Sequence, residues 1–323
     1  MKFRALLSSL MLVVASLGAV GARPQRAAAP PQAPKPTAQL TPAEIEIEPL
    51  EIEIYKSAHT LIDWTPRQIH DYPFLRKLRP AGSQDQLPMV LEQVGQAVTL
   101  LLHEFPQIAC DEQVISEVLS RGSRGTPGVA RKFRYIALPR AVGNIQGLEE
   151  YRTDLKGNPL DAAHLSDFFL ITSNYISTYL YLSPTDQSSS RFRHLGVQSI
   201  RGRKCHVLGF AQEPERVRRV GTFRFGGKRV VLLVQGLAWI DPETFHVMRI
   251  MTWLLAPRPD IGLEVHTSTV DFYPVRPSGF ERVLWLPREV TVFTDYRSIR
   301  LRNTHHYSNF KLFRVTSTIK PSE

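Results

Sequence analysis

Three places in this chain carry residue types that do chemistry, and none has the spacing that the chemistry needs. His103-Glu104 opens the His-Glu-x-x-His pattern of zinc proteases, but the second imidazole would fall where Gln107 stands. His305-His306 are adjacent, and neighbouring side chains of a strand point to opposite faces. They therefore read as strand-surface histidines, not as a chelating pair. Glu149-Glu150 diverge in the same way, which leaves a carboxylate pair for acid–base work unsupported. No Gly-x-Ser-x-Gly elbow offers a nucleophilic serine, and no Gly-rich loop cradles a phosphate. The expectation is a non-enzyme with no catalytic residue, no metal and no cofactor. A hydrolase assembled from dispersed residues is the remote alternative.

What the sequence offers instead is apolar capacity. Trp239, Met251, Trp253 and Trp285 fall in segments of strand character, and Phe168, Phe169, Tyr175 and Tyr179 in one of helical character. Sites for greasy ligands are concave and mostly apolar with few polar anchors. These residues are candidates to line one; plain core packing is the competing use. A second group is Arg216, Arg218, Arg219, Arg224, Lys228 and Arg229, interleaved with Phe223 and Phe225. In a loop between strands the cations could hold anionic headgroups while the rings insert. A solvated loop has the same composition.

The elements that must position these residues follow from period and punctuation. Apolar Val90, Leu91, Val94, Val98, Leu101, Leu102 and Phe105 predict a helix from Leu87 to Phe105, capped by Ser83 or Asp85 and stopped by Pro106. Leu165, Phe168, Phe169, Thr172, Ile176, Tyr179 and Leu180 predict a second, from His164 to Leu182. Strands are predicted over 108–120, 130–138, 146–154, 191–200, 203–212, 228–240, 245–255, 262–274, 283–296 and 298–315. Asp241-Pro242-Glu243-Thr244 supplies a hairpin turn, with Asp at the first corner and the fixed φ of Pro at the second. About ten strands with short connections predict one strongly curved antiparallel sheet, and two amphipathic helices must bury their stripes on its concave face. The fold class is α+β, a half-barrel.

The N-terminus reads as an export signal: Lys2 and Arg4, an apolar run from Ala5 to Val20, then Gly21-Ala22. Cleavage is expected after Ala22, with Ala19 or an uncleaved anchor as alternatives. No cysteine lies near the cleavage site to carry a lipid, so residues 1–22 are a signal peptide and the mature chain is expected to be periplasmic or secreted, without a transmembrane helix. Residues 23–43, rich in Ala and Pro, form a disordered linker. Residues 44–84 are an acidic arm and N-terminal extension, and 85–323 the sheet domain. Glu44–Ile54 alternates Glu with Ile around Pro49 and predicts an edge strand, or else a solvated linker.

Hydrophobic residues at 43% can fill a sizeable core, and the formal charge of +10 falls to +8 once Lys2 and Arg4 are removed. For an exported protein that charge favours an anionic membrane surface or acidic polymer over nucleic acid. The only cysteines, Cys110 and Cys205, can form one disulfide in an oxidising compartment or stay as buried thiols.

The segment Gly236-Leu-Ala-Trp-Ile-Asp-Pro-Glu-Thr-Phe-His-Val-Met-Arg249 is a strand ending in Asp, a short turn and a returning strand. With Ser190-Arg-Phe-Arg-His-Leu-Gly196 and Gly202-Arg-Lys-Cys-His-Val-Leu-Gly-Phe210 before it, it resembles the lipoprotein-carrier (LolA-like) half-barrel superfamily. The likeness spans about residues 86 to 315. It implies a space between sheet and helices that holds an acyl chain, lipid or lipoprotein, in a carrier or sensor. The alternative is an interaction module that recruits a partner by strand addition.

Overall fold

Val234–Ile240 is buried at every position, on both sides of the strand. A strand inside an antiparallel sheet keeps both faces dry only when a layer covers each of them. The computed structural model describes residues 49–119, 128–142, 145–158, 160, 175–225 and 228–313, all within one unit from Leu40 to Glu323. The signal, the linker and the first half of the second predicted helix, with Phe168 and Phe169, lie outside the described residues.

Thirteen strands are numbered in chain order: β1 Arg79–Pro80, β2 Ile108–Leu119, β3 Val129–Val142, β4 Ile145–Thr153, β5 Ser190–Ile200, β6 Arg203–Gln212, β7 Gly221–Phe225, β8 Lys228–Leu232, β9 Val234–Ile240, β10 Val247–Leu254, β11 Leu263–Val275, β12 Leu284–Tyr296 and β13 Ile299–Leu312. Eleven of them form one open, curved antiparallel sheet in the order β1-β5-β6-β9-β10-β11-β12-β13-β2-β3-β4, and β7 with β8 makes a separate ribbon. Each predicted strand segment is present. The segment 228–240 divides at Leu233, and β1 and β7 were not foreseen.

Alternation sorts the middle strands between two cores. Leu208, Ala238, Ile240 and Ile250 face inward, while Val207, Leu237, Trp239 and Met251 face outward. The inner face is covered by α3 (Leu87–Glu104) through Val90, Val94, Val98 and Leu102, joined by a 3₁₀ segment, Ile176–Leu182. Gln86 takes the N-cap of α3 without a side-chain bond, because Ser83 and Asp85 bond to each other at 2.8 Å. The second predicted helix is corrected at its C-terminal end. In a 3₁₀ turn residues three apart eclipse, so Ile176, Tyr179 and Leu182 all reach the core.

The N-terminal extension covers the outer face. Two helices, α1 (Pro49–Lys56) and α2 (Pro66–Asp71), and the turns between them set Leu61, Ile69 and Leu75 on the outer core. Leu61 sits in the notch left by Gly209, where a Cβ would fall 2.2 Å from its Cδ1. Its backbone N–H donates to Gln235 Oε1 at 2.7 Å, and Arg193 donates to the Ile62 and Trp64 carbonyls at 3.0 and 2.7 Å. The edge strand expected at 44–54 is a helix from Pro49 onward. One helical turn brings Glu51 and Tyr55 together on the buried Arg258, which donates to both at 2.9 and 3.2 Å. In a strand those two side chains would stand about 13 Å apart.

The expected disulfide is not formed; Cys110 and Cys205 are buried free thiols. Cys110 belongs to the inner core and Cys205 to the outer one. Their strands, β2 and β6, are six positions apart in the sheet, about 29 Å along its surface, whereas a bridge needs Cα atoms within about 7 Å. Burial pushes the Cys205 thiol up to about 11, and its sulfur lies 3.3 Å from Met248 Sδ.

Two outcomes follow for the fold. Denatured, unreduced protein will titrate two thiols with Ellman's reagent. At Gly236 a Cβ would lie 2.2 Å from the Met251 carbonyl and 2.8 Å from the Phe210 ring. Gly236→Ala should therefore cost about 1–3 kcal/mol in urea unfolding.

Candidate functional site

The inner face opens at one end of the sheet, where the C-terminal half of α3 meets the β9–β10 turn and the start of β12. The turn is built around Asp241, whose Oδ1 accepts from the Glu243 and Thr244 N–H groups, both at 3.0 Å. It turns through Phe245 at φ 54°. That sequence, foreseen as a hairpin corner, sends Phe245 and His246 towards the helix. A cleft results, lined by Val98, Leu101, Tyr179, Phe245, Leu284 and Trp285, with about 70 Å³ of free space. Leu100 and Val283 stand at its border, 57% and 48% exposed. Tyr179 stacks on Phe272 at 4.1 Å and donates to the Trp285 carbonyl at 2.7 Å, so the floor is fixed. Glu104 at the mouth is ion-paired with Arg282, whose guanidinium holds its carboxyl below the usual range.

Of the sequence candidates, Tyr179 and Trp285 line this cleft and the other described ones do not. Tyr175 and Tyr179 are in the inner core, while Trp239, Met251 and Trp253 lie on the opposite face, against the N-terminal extension. There Trp253 stacks on Trp64 at 6.2 Å and lies 5.7 Å from Tyr72. Trp285 touches both cores. Among the basic group, Arg216 pairs with Glu213 at 3.1 Å, Arg219 pairs with Asp186 at 3.2 Å, and Arg218 lies 3.5 Å from the Thr185 carbonyl. Phe223, Arg224, Phe225, Lys228 and Arg229 belong to the β7–β8 ribbon.

The polar half of the inner face was missed. His305 is not a surface residue; it is fully buried, donating from Nδ1 to Glu112 Oε1 at 2.8 Å, with Nε2 3.1 Å from the Tyr175 hydroxyl. Glu112 also takes two bonds from Arg152 and one from the Tyr307 hydroxyl at 2.7 Å. Burial alone would push the Glu112 carboxyl up, but Arg152 and His305 hold it at about 2. Burial keeps His305 neutral, which fits an Nδ1–H donor and an Nε2 acceptor. Glu150 faces inward as well and caps the 3₁₀ segment through the Ile176 and Ser177 N–H groups at 3.0 and 2.7 Å. Burial raises its pKa to about 6. These side chains come from three strands, β2, β4 and β13, and one turn, so no local spacing could have revealed them. Among the described residues no group of three or more His, Cys, Asp or Glu side chains could hold a metal, and no helix is long and apolar enough to cross a membrane.

No protein-family model and no curated protein matches the chain. Similar solved structures include a DUF1329 family protein from Desulfovibrio piger, with 10% identity and a TM-score of 0.39, covering 72% of this chain and 95% of that one. A domain described as an outer membrane lipoprotein-sorting protein, from Vibrio parahaemolyticus, has 11% identity and a TM-score of 0.40 over 69% and 91%. A LolA superfamily protein from Nitrosomonas europaea has 14% identity and a TM-score of 0.33 over 71% and 94%. Overlaps this partial carry no information about ligand or activity.

Arg152→Met strands the Glu112 charge and should cost about 3–5 kcal/mol, whereas Glu112→Gln with Arg152→Met should cost less than the single change. Equal losses in chemical denaturation would contradict a net burden from the unpaired charge. Burial holds His194, His206, His246, His266 and His305 below their ordinary 6.5, His266 at about 4. The unfolded chain therefore binds more protons below pH 6.5, and stability falls as pH drops from 6.5 towards 4. Glu150 acts in the opposite sense between 4.5 and 6 but is one group against five. The urea midpoint should be lower at pH 5 than at pH 7.

Proposed function

We propose that this is an exported, non-enzymatic binding protein that takes the end of an acyl chain or other hydrophobic ligand into the cleft between α3 and the rim of the sheet. One observation carries the reading: an apolar wall left open to solvent, with Leu100 and Val283 exposed above Tyr179, Phe245 and Trp285. The resemblance of Gly236–Arg249 to half-barrel carriers points to the same space between helix and sheet. Export rests on the N-terminal pattern.

The size of the cleft limits what it holds. At roughly 12 Å³ per water-sized occupant, 70 Å³ takes about five or six methylene-sized groups. At about 0.8 kcal/mol each that is about 4–5 kcal/mol, a thousandfold or more in affinity. A longer tail needs α3 to swing outward. At this end the Glu104–Arg282 pair restrains it, while the Gln187 amide on the Leu91 carbonyl at 2.8 Å holds its N-terminal half. A second reading, strand addition, is favoured by β4, which has β3 as its one ladder partner among the described residues.

Native mass spectrometry of freshly purified protein should show copurified lipid. Leu100→Glu, at an exposed position, should leave the fold intact and weaken decanoate binding at least tenfold. Unchanged decanoate affinity in that variant would rule out the cleft.

A further inference from the structure

Around the outside of the same rim, two guanidiniums gather at one aromatic ring. Arg201, in the β5–β6 turn, has its Cζ 4.0 Å from the centre of the Tyr273 ring, and Arg288, at a bulge in β12, has its Cζ 5.3 Å from it. Arg249 on β10 has its Cζ 5.9 Å from the Trp239 ring and is locked by a bidentate pair with Asp271 at 2.9 and 2.8 Å. Arg201 donates to the Met248 carbonyl at 2.7 Å and lies 3.9 Å from Asp271. Arg288 makes no ion pair with a described residue. Glu289, registered opposite Asp271, lies 3.7 Å from His306. Arg249 and Arg201 thus share the carboxylate of Asp271, which leaves Arg288 without one.

The backbone adds an independent observation. Arg201 and Gly202 form a two-residue hairpin turn with φ of 50° and 77°. Asn or Gly takes the first position of such a turn without strain, and a long side chain does not. An arginine is held in a left-handed conformation where a smaller residue would serve the turn better, and its guanidinium lies over Tyr273. Strain of that kind collects where a side chain has work to do.

We propose that Arg201 and Arg288 around Tyr273 bind the anionic, phosphate-bearing headgroup of the amphiphile whose tail enters the cleft. Guanidinium forks match phosphate oxygens in pairs, and stacking on a ring orients them before the ligand arrives. Trp285 joins the two sites. It is registered opposite Pro274, the neighbour of Tyr273, and packs against both the inner and the outer core. A tail beneath its indole and a headgroup beyond it would be the two ends of one ligand.

This inference rests on the cleft reading, and the test separates their failures. Dioctanoyl phosphatidylglycerol, dioctanoyl phosphatidylcholine and inorganic phosphate are titrated by calorimetry into the full protein, Arg201→Gln/Arg288→Gln and Leu100→Glu, with melting curves confirming that each variant is folded. The expected result is a preference for phosphatidylglycerol over phosphatidylcholine that shrinks at least about tenfold in the double arginine variant. Binding of decanol, which carries the tail without a charge, should be unchanged in that variant. Retention of the full preference without the two arginines would overturn the headgroup site and leave the cleft standing. Loss of the preference in the arginine variant, with the affinity for both lipids unchanged in Leu100→Glu, would keep the site and remove the cleft. Inorganic phosphate bound as tightly as phosphatidylglycerol would mean that the site takes a free oxyanion, which overturns the amphiphile.

Discussion

Strand β9 has no face left for water, and most of the architecture answers to that. Its seven residues are buried on both sides, so the sheet must carry a layer above and a layer below. One layer is α3 with the 3₁₀ segment, and the other is the N-terminal extension, which is therefore part of the folded body rather than a tether. Small residues record how tightly the layers approach. Gly209 leaves room for Leu61, and Gly236 lets β10 and the Phe210 ring close in. Polar side chains fasten the outer layer: Gln235 holds the Leu61 N–H, and Gln198 bridges the Trp239 indole at 3.1 Å and the Phe74 carbonyl at 2.8 Å.

Beneath α3 the inner face has two characters. Over β10, β11 and β12 it is apolar and ends in the cleft; over β2, β3, β4 and β13 it holds a buried charged network. Taking Glu112 and Arg152 out of water costs several kcal/mol per ion unless every remaining valence is met. Here the carboxylate is met by Arg152, His305 and Tyr307 together. A network of that kind rewards one arrangement of four strands and penalises register slips. The apolar half, which packs without directional bonds, can give way at its border. Directional bonding and apolar packing are thus divided between the two ends of one surface.

Much of the scaffold was legible in the sequence because it is local. The period of Val90, Val94, Val98 and Leu102 placed α3, and the β-branched runs placed most strands to within a residue or two, although β3 runs on to Val142 and β13 ends at Leu312. The Asp241 turn followed from Asp-Pro. What was not legible depends on long-range pairing. His305 reads as a surface residue from its neighbour His306, and only its approach to Glu112, 193 positions away in sequence, shows otherwise. The aromatics divide because Trp239, Met251 and Trp253 share the outer side of β9 and β10, while Tyr175 and Tyr179 come from the segment that covers the inner side, and alternation within a strand does not say which side that segment takes. The acidic arm misled because Glu and Ile alternate, while Arg258, a partner more than two hundred residues distant, draws the segment into a helix.

The two-residue strand β1 has a consequence beyond the monomer. It lies along β5, with Pro80 opposite Gly196, whose φ of 137° lets the Arg79 carbonyl come within 2.0 Å of where a Cβ would be. Proline offers no amide hydrogen, and two residues are too few to template a neighbour. That border of the sheet is blunted against fibril-like stacking of one molecule on the next. Concentrated protein should accordingly resist end-to-end growth from this side, a form of colloidal protection written into a single dipeptide.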